Sequence, residues 1–128
     1  GVFVERVKTV AFSETKEGKA RMKECMDALR QTPPSQFGSR KVLAFEDLLH
    51  KKADGDPSLF QGRTLPLSDV LLFHLEGGGL LCIRPSGTEP KVKVYAMLSE
   101  KQHGSKSIEH SLEEEMGSLL SDTVRYMQ

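Results

Sequence analysis

Residues 84–95 read Arg-Pro-Ser-Gly-Thr-Glu-Pro-Lys-Val-Lys-Val-Tyr and gather several anion donors in one short stretch. Arg84 offers a planar five-donor fork that grips a phosphate or carboxylate bidentately, and Ser86 and Thr88 place hydroxyls on either side of a glycine. Gly87 frees the backbone to turn its N–H groups toward a ligand, in the kind of concave nest that holds anions. Pro85 and Pro90 stiffen both ends, which lowers the entropy lost when the segment orders around a ligand. Lys93 follows with an ammonium that closes the cluster. The same residue types also build ordinary turns, so on chemistry alone an anion site and a plain Ser-Gly-Thr-Glu-Pro turn both remain open.

Two strands position this segment. Before it, Val70 to Leu75 and Leu80 to Arg84 are apolar runs separated by Glu76-Gly77-Gly78-Gly79, a hairpin turn between central strands. After it, Val92, Val94, Ala96 and Leu98 alternate with Lys93, Tyr95 and Met97, which covers one sheet face and leaves the other partly exposed. Val2, Val4, Val7, Val10 and Phe12 predict a further strand, with a bulge, over 2–12, and Lys41 to Phe45 a short one. Met22, Cys25, Met26 and Leu29 recur at helical spacing, which predicts a helix over 15–31 capped by Ser13 or Thr15 and stopped by Pro33-Pro34. Ile108, Leu112, Met116, Leu119, Thr123 and Met127 predict a second helix over 106–127, with the Glu113, Glu114 and Glu115 run on its solvated side. The stretch 50–66, rich in Asp, Gly and Pro, reads as loop.

The expected fold is therefore α+β in the order β-α-β-β-β-β-α: a mostly antiparallel sheet of four to five strands carrying both helices on one face. At 128 residues with 38% hydrophobic content the chain makes one domain, 1–128. Eighteen basic and eighteen acidic side chains leave no formal net charge, which argues against a nucleic-acid interface. Apolar runs are too short to span a bilayer, and a cytoplasmic location is expected. Cys25 and Cys82 stand far apart with no Cys/His cluster, so neither a disulfide framework nor a metal site is indicated. His50, His74, His103 and His110 show no ligand spacing, and His74 lies inside an apolar run as a packed or edge residue.

The segment from Arg84 to Tyr95 strongly resembles the phosphate-binding loop of the α-D-phosphohexomutase superfamily, in its RPSGTEPKxKxY form. The likeness extends to Met26-Asp27-Ala28-Leu29-Arg30 before Pro33-Pro34, to the run from Leu65-Pro66 to Leu75, and to the closing helix. Those segments are similar to that family's C-terminal, fourth domain, whose fold is TATA-box-binding-protein-like. The resemblance implies an isomerase that interconverts sugar 1-phosphate and sugar 6-phosphate through a bisphosphorylated intermediate, glucose 1,6-bisphosphate, which also serves as activator. A phosphoserine in the first domain, Mg2+ held by aspartates of the second, and sugar recognition by the third are implied to lie outside this chain. The fourth domain's part is to grip the phosphate that is not reacting, a role that falls on Arg84, Ser86, Gly87, Thr88 and Lys93. Lys93 stands where a bidentate arginine would also serve, and Glu89 reads as structural, anchoring Arg84 or Lys91. Residues 1–12 match the segment leading in from the third domain, so Gly1 is expected to mark a cut near the interdomain hinge. The partners implied are a sugar phosphate and the three other domains, with the fragment inactive alone. Phosphopentomutase activity in the same family and a non-catalytic binding or interaction module are the alternatives.

Overall fold

The structure, a computed structural model, describes residues 2–60, 68–100 and 106–127. Its elements are β1 (Val2–Ala11), α1 (Lys16–Gln31), β2 (Gln36–Phe37), β3 (Arg40–Asp47), β4 (Lys52–Gly55), β5 (Leu71–Leu75), β6 (Gly79–Pro85), β7 (Lys91–Glu100) and α2 (Lys106–Tyr126). The fold is α+β, as the hydrophobic pattern predicts. Six strands run in the order β1-β7-β6-β5-β3-β2, β4 pairs β3 besides, and every pairing is antiparallel.

The expectation of four to five strands is too low, because β2 and β4 carry almost no apolar signal. Both borrow the same edge of β3: Phe37 pairs Arg40, and Lys52 to Gly55 pair Asp47 to Ala44. All four residues of β4 are exposed, so backbone pairing rather than burial holds it, and a hydrophobic pattern cannot reveal such a strand. Part of the stretch read as loop is therefore sheet. The bulge expected in the first strand is absent: β1 pairs β7 without a break from Val2↔Glu100 to Ala11↔Lys91, and the register shift falls instead in β3, between Val42 and Ala44.

Alternation along the strands sorts the two faces. Val92, Val94, Ala96 and Leu98 of β7, Leu81 and Ile83 of β6, and Leu71, Phe73 and Leu75 of β5 form one buried cluster with Met26 and Leu29 of α1 and Leu112, Met116 and Leu119 of α2. The helices thus cover one face. Thr15 caps α1, its Oγ1 accepting the Gly18 amide at 3.1 Å. Arg40, 7% exposed, anchors α2: its Nε and Nη2 donate to the two carboxylate oxygens of Glu115 at 2.6 and 3.0 Å, and its Nη1 donates to the Glu76 carbonyl at 3.0 Å. The acidic run of α2 is accordingly not a purely solvated face, since Glu113 also pairs with Arg6. His103 and the Leu65-Pro66 pair lie outside the described residues, as do the side chains of Ile108, Glu109 and His110. No helix among the described residues is long and apolar enough to cross a membrane.

Candidate functional site

The β6–β7 hairpin carries the site on the face that the helices leave open. Arg84 and Lys93 are direct register partners across this ladder, so both side chains leave the sheet on the same side. Like charges placed opposite one another repel, and neither side chain has an acidic salt-bridge partner among the described residues. Glu89 feels the Lys93 charge but makes its ion pair with Lys91, so the two facing cations remain suited to receive an anion from solution. Together with Pro85, Ser86, Gly87 and Tyr95 the pair lines a cavity of about 270 Å3.

The loop between the strands is braced from within. The Ser86 amide donates to the Lys91 carbonyl at 2.8 Å, and the Lys91 amide donates to the Glu89 carbonyl at 2.8 Å. The Ser86 Oγ accepts the Thr88 and Glu89 amides at 3.4 and 3.2 Å, which leaves its own hydrogen free to point into the cavity. Pro90 is buried at the base of the loop, where its carbonyl accepts the Phe12 amide at 2.8 Å. Glu89 pairs with Lys91 at 2.9 Å, and that hydrogen bond and charge hold the Glu89 carboxyl below its usual range. The Lys93 charge lowers it further, by a smaller amount.

Four of the five residues singled out in the sequence, Arg84, Ser86, Gly87 and Lys93, line the cavity together. Thr88 does not, its amide being turned to Ser86. Gly87 differs from expectation in its reason for being glycine. The positive-φ glycines are 38, 55, 77 and 78, so the loop needs no left-handed turn at Gly87. A Cβ built there would meet nothing within 4 Å, and its absence leaves the backbone open to close approach from the cavity. Tyr95 also lines the cavity, and a pattern of cations and small hydroxyls does not reveal it because a phenol carries no cation. Alternation with Lys93 signals it, since the two share a face. Two positions further along β6 from Arg84 is Cys82, a free, half-buried thiol whose pKa burial raises and Arg84 partly lowers.

Comparison with known proteins bears on the same residues. The family profile described as phosphoglucomutase/phosphomannomutase, C-terminal domain, matches residues 34–110. A probable phosphomannomutase of Haemophilus influenzae is 46% identical over 70 residues, covering 55% of this chain and 12% of that protein. A phosphoglucomutase of Staphylococcus epidermidis is 35% identical over 100 residues, covering 77% of this chain and 18% of that protein. A phosphoglucomutase of Staphylococcus aureus is 35% identical over 99 residues. The chain thus spans less than a fifth of the length of these curated relatives.

Proposed function

Since the chain belongs to the phosphoglucomutase/phosphomannomutase family, whose C-terminal domain it matches, we propose that its β6–β7 hairpin binds the phosphate of a sugar phosphate that is not undergoing transfer. The observation that supports this most directly is the Arg84–Lys93 pair of facing cations, neither in a salt bridge among the described residues, lining a small polar cavity. Arg84 supplies a forked pair of N–H donors, Lys93 a point charge, Ser86 an O–H, and the backbone at Gly87 room for a phosphate oxygen to come close. Holding that remote phosphate fixes the far end of the sugar, so binding energy distant from the reacting bond orients it.

In the longer protein the reading is an isomerase moving a phosphoryl group between the 1- and 6-positions of a hexose, with glucose 1,6-bisphosphate as the intermediate and activator, working in the cytoplasm. Mg2+ belongs to the other domains in this reading. The chain alone is expected to bind without turning over. NMR titration of the chain with inorganic phosphate tests the role: saturable shifts at Arg84, Ser86, Gly87 and Lys93 support it, and shifts confined to other surfaces refute it.

A further inference from the structure

On the helix-free face the cross-strand pairs of β6 and β7 succeed one another as Arg84↔Lys93, Cys82↔Tyr95 and Leu80↔Met97, stepping from cationic through amphipathic to apolar. Successive pairs on one face lie about 7 Å apart. The anion cavity does not close beyond the cationic pair. Tyr95, 38% exposed, forms its wall and is also a wall of a neighbouring groove of about 190 Å3, which Val7, Cys82, Leu80 and Met97 line. Val7, the β1 partner of Tyr95, is 58% exposed and extends the same row.

We propose that Tyr95 is a sugar-positioning residue: with a phosphate on Arg84 and Lys93, the apolar C–H face of the attached sugar ring lies against the Tyr95 ring. This rests on the anion reading of the hairpin and goes beyond it, since it gives the domain a contact with the sugar itself. Reach selects the row. The Cys82–Tyr95–Val7 row stands about one 7 Å step from the cations, which a sugar ring joined to its phosphate through one oxygen and at most one methylene spans, whereas the Leu80–Met97 row stands about two steps away and is out of reach. Chemistry selects the residue, because an aromatic face takes the C–H side of a sugar while leaving the hydroxyl rim in water, as amphipathic rings do at wet interfaces.

The test is a parallel NMR titration of the chain with inorganic phosphate and with glucose 6-phosphate. Glucose 6-phosphate should bind about three- to tenfold more tightly than inorganic phosphate, the usual size of an aromatic packing contact. Nuclear Overhauser contacts should connect the Tyr95 ring to sugar C–H protons. Tyr95→Leu, which keeps apolar bulk on the strand, should bring the ratio of the two affinities to about one, whatever it does to each alone; Tyr95→Phe should retain the preference. Equal affinities in the unaltered chain, or an intact preference in the Leu variant, would overturn the assignment while sparing the anion site. Phosphate shifts that persist undiminished in Arg84→Ala would overturn the anion site and this inference with it.

Discussion

The hydroxyl oxygen of Ser86 lies 3.2 Å from the Glu89 amide nitrogen and accepts its hydrogen, so one side chain both braces the loop and keeps an O–H to offer. Ser86→Ala should therefore loosen the loop and weaken anion binding together. Amide hydrogen exchange at Thr88 and Glu89 should quicken, and phosphate affinity should fall by about ten- to a hundredfold, the size of one hydrogen bond to a charged group. Unaltered exchange at both amides would show that the brace is not made in solution.

Arg84→Ala should separate binding from stability. Losing a charged hydrogen bond to phosphate lowers affinity by about ten- to a hundredfold. Removing one of two facing cations relieves repulsion, so the melting temperature should stay level or rise slightly, and more so at low ionic strength. A calorimetric scan beside the titration checks both; a clear fall in melting temperature would mean that Arg84 has a structural partner.

Acid should unfold the domain partly through Glu115. The hydrogen bond from Arg40 holds its pKa below the usual value, opposed by burial and assisted by the Arg40 charge and the Ser39 hydroxyl. An unfolded glutamate titrates near pH 4.3, so above that pH the folded chain keeps the full contribution of the pair. As pH falls through the lowered folded pKa the unfolded state binds the proton first and that contribution is lost. Glu115→Gln should flatten the acid limb of the stability curve and cost about 2–3 kcal/mol at neutral pH, at or just under the range for breaking a buried pair. Denaturant midpoints between pH 3 and 7 measure it.

Gly18→Ala should destabilise α1 although alanine is the better helix former by about 1 kcal/mol. The added Cβ would stand 1.9 Å from the Ser13 carbonyl oxygen, a backbone atom that cannot move aside without unmaking the cap at Thr15. Urea unfolding decides the sign, and a gain in stability would show that the 13–15 turn can shift.

What was legible in the sequence follows how each signal arises. The 3.6-residue spacing of Met22, Met26 and Leu29 and the strict alternation from Val92 to Leu98 come from burial, and both elements stand where those patterns put them. Strand β4 escaped because it is exposed throughout and held by main-chain bonds to β3. Arg40 escaped for a related reason: a buried arginine looks like a surface one until its partner, 75 positions along the chain, is brought beside it. At the site the donors were legible because Arg84, Ser86 and Lys93 are neighbours in sequence as well as in space. Tyr95 went unread as a lining residue because its role comes from the face it shares, not from its charge.

The pairing of β1 with β7 has a consequence for how the chain is made. Val4 finds its partner in Leu98, so β1 leaves the ribosome well before β7, its ladder partner in the finished sheet, has been translated. At roughly 5–20 residues per second that interval lasts about 5–20 seconds, during which Val4 and Val10, inward-facing in the finished sheet, lack the β7 residues that pair with them. The β5–β6 and β6–β7 hairpins, closed by short turns, form soon after they emerge and then offer the waiting strand its edge. Strand 1 is thus the segment on which chaperone binding during synthesis, and aggregation when it fails, should concentrate.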